Sequence, residues 1–196
     1  MAGLVGPLVG AARAPALRQI LLPPIEEEPV AAPAADFKAA LSRFPAGVTA
    51  VTMVGPEGDH GMTASAFCSL SLDPPLVLVC VGKKGGTHEL LSKCSGFAIN
   101  ILSEEQVSVS NRFAGWWEEG KSKWDDLEIT RGEHSGAALI GGALAWLDCT
   151  LHAAHDGGDH TIFVGRVEAA RSFGEPGSLA PLMYFDKSYR GVGSTL

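Results

Sequence analysis

The sequence is short of basic residues, and this shortage limits what the protein can bind. Its 196 residues include 15 lysines and arginines against 22 aspartates and glutamates, which gives a formal net charge of −7. Proteins that bind nucleic acid or an anionic membrane surface usually carry a basic patch or stripe. We therefore expect no nucleic acid and no membrane among its partners, and an anionic ligand would have to be held by local donors.

Cysteine is also scarce, and its spacing excludes two common kinds of site. The four cysteines, Cys68, Cys80, Cys94 and Cys149, form no C-x-x-C pair, so nothing supports a zinc knuckle or a thioredoxin-type redox motif. No clear secretory signal precedes them, because the apolar N-terminal stretch lacks a basic start. We therefore expect buried, reduced thiols in a cytoplasmic protein.

Long apolar runs are missing as well: none reaches about 18 residues, so the sequence predicts no membrane-spanning helix. Glycine and proline, in contrast, are abundant at 24 and 12 residues, which favours short elements joined by tight turns. The length fits one domain, which we place at residues 36–190. Residues 1–35, rich in proline and alanine, are predicted to be an N-terminal extension, and residues 191–196 a C-terminal tail.

Strand patterns dominate this domain. Apolar and β-branched runs predict strands at about residues 48–54, 60–67, 76–81, 97–102, 143–155, 160–170 and 181–185. The run at 76–81 is continuous, which predicts a strand buried on both faces. The sequence Asp156-Gly157-Gly158-Asp159 predicts a tight hairpin between the two longest strands.

Helices are predicted to be short and few. They fall at about residues 37–43, at 87–93 and from Ser103 to 113, where Gln106 stands at capping-box spacing from Ser103. Residues 114–138 are predicted to be a long loop. Because so few helices separate the strands, we expect a mainly β fold, a closed β-barrel with a few short peripheral helices.

Two motif-like features fail on physical grounds. Residues 115–122 match the pattern of a phosphate-binding loop, but no buried strand precedes them and two glutamates would repel phosphate. His152, His155 and His160 lie within nine residues, yet strand positions three apart face opposite sides and no third ligand is recognisable. We therefore expect neither a nucleotide triphosphatase nor a metal site.

A strip of small and hydroxylated residues at 61–72, GMTASAFCSLSL, is more informative. A buried strand would prefer valine or isoleucine at many of these positions. Small side chains let a flat ligand approach the backbone, and hydroxyls and amides then supply directional hydrogen bonds. A serine- and threonine-rich edge strand would have the same composition.

Six segments, in this order, resemble the flavin reductase-like domain family, the NAD(P)H:flavin oxidoreductases that serve as small components of two-component flavin-dependent monooxygenases. They are FPAGVT (44–49), GMTASAFCSLSL (61–72), DPPLVLVC (73–80), GFAIN (96–100), RFA (112–114) and GDHTIFVG (158–165). The resemblance covers about residues 36–190. It implies a split β-barrel of the FMN-binding type and a homodimer with flavin at the subunit interface.

The resemblance also implies which residues contact the flavin. The ring and ribityl chain would border the strip, backbone groups of the next buried strand would face the flavin, a following loop would hold its phosphate, and an Arg-Phe pair would close the site. The candidates are His60, Gly61, Met62, Thr63, Ala64, Ser65, Ala66, Cys80, Val81, Gly82, Gly86, Thr87, Arg112 and Phe113.

Charge near the phosphate loop supports this assignment independently. Lys83 and Lys84 are cations in an acidic protein, and Thr87 stands at a predicted helix start, where free amides favour phosphate. A solvated surface pair is the alternative for the two lysines. The family often has serine where this chain has Gly85 and Gly86, so backbone amides would have to replace that hydroxyl.

The segment at 158–165 resembles the nicotinamide-side motif of the family. His160 would bind and orient the reduced nicotinamide cofactor, NADH or NADPH, and is the candidate catalytic residue. Tyr184 and Tyr189 would wall the same side. A solvent-exposed histidine at the end of a strand is the alternative.

The implied reaction is hydride transfer from NAD(P)H to FMN or FAD, which would supply reduced flavin to a partner monooxygenase. The cofactors carry the chemistry and the protein aligns them. Two other functions stay open: a flavin-binding or carrier protein without enzymatic activity, and a reductase of another acceptor on the same barrel.

Overall fold

The computed structural model describes residues 31–117, 119–175 and 177–193. Most of the predicted extension, residues 1–30, and the end of the predicted tail, residues 194–196, lie outside the described residues. The helices are α1 (Ala34–Leu41), α2 (Gly86–Leu91) and α3 (Val107–Phe113), the last preceded by a 3-10 turn at Glu104–Gln106. Within the described ranges, no helix is both long and apolar enough to span a membrane.

Strands are the main secondary structure, with 47% of the described residues in strands and 15% in helices. They are β1 (Ala46–Gly47), β2 (Thr49–Gly55), β3 (Gly58–Ala64), β4 (Phe67–Leu72), β5 (Pro75–Gly82), β6 (Gly96–Ile101), β7 (Ile129–Arg131), β8 (Ala138–Ile140), β9 (Ala145–Gly157), β10 (His160–Ser172), β11 (Met183–Phe185) and β12 (Ser188–Arg190). The prediction of a mainly β fold with few short helices is confirmed.

Seven strands form one antiparallel sheet in the order β3-β2-β6-β9-β10-β5-β4. Its two edge strands, β3 and β4, follow one another in the chain. The prediction of one continuous strand at 60–67 is wrong: β3 ends at Ala64, and exposed Ser65 and Ala66 separate it from β4, which begins at Phe67. In the described part of the chain no ladder pairs these two edges, so the expected closed barrel is corrected to one that stays open between them.

The sheet curls around one apolar core. Val51 on β2, Phe97 and Ile99 on β6, and Phe163 on β10 are completely buried there. Burial of an aliphatic or aromatic side chain of this size stabilises the fold by roughly 1.5–3 kcal/mol. The core therefore holds the edge strands β3 and β4 in place on either side of the gap.

Strand β5 differs from the prediction of burial on both faces. Val77, Val79 and Val81 are buried in the core, but Leu78 and Cys80 on the other face are only half-buried. The period of two shows that one face packs on the core while the other borders an open cleft. The continuous apolar run had concealed this difference.

The tight turn and the helix cap predicted from the sequence are both present in the structure. Gly158 has a φ of 78° at the tip of the β9–β10 hairpin, a conformation that favours glycine. Ser103 and Gln106 form the predicted capping box before α3. The predicted loop at 114–138 contains the short strand β7 and leads into β8.

Candidate active site

Strand β3 carries the first four residues of the small-residue strip, Gly61 to Ala64, and its two faces meet different partners. Met62 and Ala64 point to the core and pack against it. Thr63 points the other way, where its hydroxyl donates to the carbonyl of Ser110 on α3 at 2.6 Å. Only Ser65, which follows the strand, is exposed among these four residues of the strip.

Gly61 lies directly beneath an aromatic pair. A Cβ built on Gly61 would stand 2.8 Å from two ring carbons of Phe113, which is 4% exposed. The Phe113 ring packs on Trp124 with centroids 4.9 Å apart, and the Trp124 indole donates to the carbonyl of Asp59 at 3.2 Å. Glycine is therefore needed here for close packing against Phe113, so this part of the strip is covered.

At the start of β3, a hydrogen bond joins the strand to helix α2. His60 Nε2 and Thr87 Oγ1 are 2.7 Å apart. Burial lowers the pKa of His60, and the positive charge of Lys123 lowers it further. A neutral imidazole is thus favoured beside Thr87 and Gly86, the residues predicted to contact phosphate.

Two adjoining clefts open at the other end of β3. The ring cleft, about 630 Å³, is lined among others by Ser65, Ala66, Cys80 and Tyr184. The tyrosine cleft, about 480 Å³, shares Ser65 and Tyr184 with it and is also lined by Tyr189. Both volumes fall in the range of small-molecule sites. The structure thus brings six of the predicted site residues together at these clefts: Thr63, Ser65, Ala66, Cys80, Tyr184 and Tyr189.

A hydrogen-bonded chain beside the tyrosine cleft was not predicted. Tyr189 donates its hydroxyl to Asn111 Oδ1 at 3.1 Å, and the Ser110 hydroxyl lies 2.8 Å from the Tyr189 oxygen. Asn111 and Trp116 line the same cleft, and Trp116 is 79% exposed. Asn111 directly precedes the Arg-Phe pair in the sequence, which was the one signal that could have identified it.

The end of β5 holds His160 in place. In the antiparallel ladder, His160 on β10 pairs with Gly82, two residues beyond Cys80. A Cβ on Gly82 would stand 3.6 Å from His160 Nε2. His160 Nδ1 lies 2.7 Å from a carboxylate oxygen of Asp159, and this hydrogen bond lowers the pKa of Asp159. A carboxylate only accepts, so Nδ1 is the donor in this hydrogen bond and Nε2 stays free of it.

The two loop lysines have different surroundings. Lys83 donates to the Asp156 carboxylate and, at 2.6 Å, to the Gly158 carbonyl, and this pairing lowers the pKa of Asp156. Its ammonium group thereby ties the β9–β10 hairpin to the end of β5. Lys84 is exposed and, within the described ranges, forms no ion pair. Of the two, Lys84 is the one available to an anionic ligand.

The side chain of Arg112 is 7% exposed and faces the loop that follows α3. Its Nη1 donates to the Asp125 carbonyl at 2.6 Å, and its guanidinium carbon lies 4.1 Å from the ring centroid of Trp117. Its Nε has no hydrogen-bond partner among the described residues. Arg112 and Phe113 together hold the tryptophan-containing loop over α3 and β3, away from the ring cleft.

Val81, another of the residues predicted to contact the flavin, is buried in the core.

Comparison with known proteins identifies the family of the chain. The family model for the flavin reductase like domain matches residues 41–193. The chain is 46% identical over 128 residues to the NADH-dependent FAD reductase of Streptomyces globisporus, covering 65% of this chain and 70% of that protein. It is 43% identical over 154 residues to the 4-hydroxyphenylacetate 3-monooxygenase reductase component of Thermus thermophilus, covering 79% and 93%.

A solved structure is similar as well. The Streptomyces globisporus NADH:FAD oxidoreductase, in complex with NAD and FAD fragments, superposes with a TM-score of 0.73 at 38% identity, covering 81% of this chain and 92% of that one. The chain therefore belongs to the flavin reductase-like domain family. The split-barrel type predicted from the sequence is confirmed, with its sheet left open between β3 and β4.

Proposed function

We propose that this protein is an NAD(P)H:flavin oxidoreductase that reduces FMN or FAD by hydride transfer. One observation carries the proposal. Ser65, Ala66 and Cys80 line a cleft that opens on β5. Gly82, two residues after Cys80 on the same strand, is paired with His160 of β10. A site for a flat ring and a hydrogen-bonding imidazole thus share one strand. The relatives named as NADH-dependent FAD reductase and as a monooxygenase reductase component support the same activity.

The residues present fit a flavin. The small side chains of Ser65 and Ala66 leave an open cleft beside the backbone, where a ring can approach closely. At the opposite end of β3, Gly86 and Thr87 offer a hydroxyl and an uncrowded backbone, since a Cβ on Gly86 would meet nothing within 4 Å. Exposed Lys84 supplies a positive charge, and a charge-assisted hydrogen bond contributes roughly 1.5–3 kcal/mol. We assign ring and phosphate to these two ends of β3.

The nicotinamide is assigned to the side of His160. Because Nδ1 donates to Asp159, Nε2 is the ring nitrogen left for the nicotinamide. The carboxamide of that cofactor carries both a donor and an acceptor with which to bind it. Tyr184 and Tyr189, whose rings meet edge to face at 5.7 Å, offer an aromatic wall beside the ring cleft. These residues would orient the donor rather than form a covalent bond with it.

Bound nicotinamide and flavin would supply the hydride chemistry of this reaction, and the residues of this chain would align the two rings. Holding two reactants in a reactive geometry supplies up to about 7–11 kcal/mol of the barrier reduction. Ser65, Ala66 and Cys80 would set the position of the flavin, and His160 that of the nicotinamide. Arg112 and Phe113 would contribute by holding the loop that packs against β3.

We also propose a homodimer with flavin at its interface. Phe44 and Leu72 are 73% and 95% exposed, and Phe44 lines the ring cleft. Exposed apolar side chains of this size are typical of interaction surfaces. Leu72→Asp should therefore produce monomers and weaken flavin binding, whereas Val192→Asp should do neither. Size-exclusion chromatography with light scattering tests this, and a dimeric L72D protein with normal flavin affinity contradicts it.

Reduced flavin would pass to a partner monooxygenase, as expected for a relative of monooxygenase reductase components. The four cysteines are free thiols, which is consistent with our proposal of a cytoplasmic location.

Steady-state turnover tests the proposal directly. Purified protein should oxidise NADH or NADPH catalytically when FMN or FAD is present. His160→Ala should raise KM for the dinucleotide and leave flavin affinity unchanged. Flavin binding without any oxidation of NADH or NADPH would indicate a carrier, and turnover with a corrinoid or metal chelate instead of flavin would indicate a different acceptor.

A matched pair of variants locates the ring. Ala66→Trp fills the ring cleft and should weaken FMN binding by about tenfold or more, which corresponds to about 1.4 kcal/mol. Ala170→Trp places the same side chain on an exposed position of β10 outside the clefts described above and should leave binding unchanged. Unchanged FMN affinity in A66W would contradict the assignment.

A further inference from the structure

A third cleft opens beyond His60, and apart from Gly86, which is assigned to the phosphate, its lining has no part in the function proposed above. This hairpin cleft, about 720 Å³, lies between the β2–β3 hairpin and helix α2. Its lining includes Val54, Pro56, Glu57, His60, Gly86 and Leu90. Its volume is that of a small-molecule site, so the cleft is large enough for a nucleoside.

The hairpin cleft continues the path that the proposed flavin follows. The ring is assigned near Ser65 and Ala66, and the phosphate near Gly86 and Thr87. Along β3, His60 and Ser65 are five residues apart, roughly 16 Å at the rise of an extended strand. His60 and Gly86 also line the hairpin cleft. A ligand that extends past its first phosphate would therefore enter it.

The walls of the hairpin cleft suit a purine nucleoside. Val54 is 44% exposed and lies with Pro56 and Leu90 on the lining, where they offer apolar contact to a flat base. The exposed carboxylate of Glu57 is an acceptor of the kind that binds ribose hydroxyls.

The other charged residues near the hairpin cleft either form ion pairs with one another or are positive, which favours an anionic ligand. Arg131 donates to Asp59 at 2.7 Å, and Lys93 pairs with Glu89 at 2.6 Å, so neither carboxylate carries an unopposed charge toward a ligand. Lys123 is close enough to lower the pKa of His60, which places another cation beside the entrance. A second phosphate next to His60 would thus meet positive rather than negative charge.

We propose that the hairpin cleft binds the adenosine half of FAD, which makes FAD the preferred flavin of this protein. The inference rests on the proposed function. An adenosine group is also part of NADH, but His160, Tyr184 and Tyr189, the residues assigned to the nicotinamide, do not line this cleft. FMN, which ends at its first phosphate, would leave the cleft empty.

The test compares the two flavins in wild-type protein and in two variants, by calorimetric titration without NADH. Val54→Trp fills the hairpin cleft from an exposed wall position, and Val192→Trp is the matched control, because Val192 is 54% exposed and does not line the cleft. We expect wild type and V192W to bind FAD about tenfold or more tightly than FMN. V54W should bind both flavins with similar affinity, through loss of FAD affinity alone.

The outcomes separate this inference from the proposed function. Equal affinity of wild type for FMN and FAD, or unchanged FAD affinity in V54W, overturns the inference, while FMN turnover would leave the reductase proposal intact. A raised KM of V54W for NADH with FMN as acceptor, without a change in FAD binding, assigns the cleft to the dinucleotide and also overturns it. Normal FMN binding in V54W shows that the ring cleft is undamaged.

Discussion

Gly61→Ala is the sharpest test of how β3 and α3 fit together. The added methyl would stand 2.8 Å from Cδ1 and Cε1 of Phe113 and 3.4 Å from the Trp124 ring. Phe113 is 4% exposed and packed on Trp124, so its ring has little room to move. Overpacking of this kind costs about 1–3 kcal/mol. Gly47→Ala is the control, because a Cβ at Gly47 would meet nothing within 4 Å.

Urea unfolding measures the effect. The free energy of unfolding of G61A should fall by about 1–3 kcal/mol, and that of Gly47→Ala by much less. In the double variant Gly61→Ala/Phe113→Leu, the loss should be smaller than the sum of the two single losses by about 0.5 kcal/mol or more, because both changes act on one contact. A G61A protein as stable as wild type, or strictly additive losses, would refute the packing explanation for this glycine.

Three further predictions concern titrating groups. Lys123→Met should raise the pKa of His60 toward 6.5 in an NMR titration of its imidazole, because one of the two causes that lower this pKa is removed. In the wild type, the stability contributed by His60 is lost as the pH falls below 6.5. Burial raises the pKa of Cys149 from 9.0 to about 12, so the free energy of unfolding should decrease as the pH rises above 9.0, and Cys149→Ala should lack that part of the decrease. Lys83→Met should raise the pKa of Asp156 toward its ordinary value in a carboxyl NMR titration, because the two largest causes that lower it are removed. The same change should raise KM for the dinucleotide as the hairpin loses its hydrogen bonds to the end of β5; no change in either would contradict the role given to Lys83.

Features set by neighbouring residues could be predicted from the sequence. The Gly158 turn follows from the need for positive φ, and the Ser103–Gln106 capping box from residues three apart. The alternation on β5 was concealed because Leu78 and Cys80 are apolar although they face a cleft. An apolar run cannot distinguish a buried face from one that borders a ligand site.

Features set by distant residues could not be predicted. Gly61 belongs to the strip by composition, yet its covering by Phe113 joins positions 52 residues apart in the chain. The contacts of Tyr189 with Ser110 and Asn111 span 79 and 78 positions. The gap between β3 and β4 depends on how seven strands curl, which no local pattern contains. The resemblance to a family supplied the candidates, and the structure separated those at open clefts from those in the core.

A crystal structure of the protein with FMN tests the central claim most directly. The flavin ring should lie in the ring cleft against Ser65, Ala66 and Cys80, with its phosphate beside Gly86 and Thr87. A ring bound elsewhere, or a ring cleft filled by side chains of this chain or of a second copy, would contradict the proposed site.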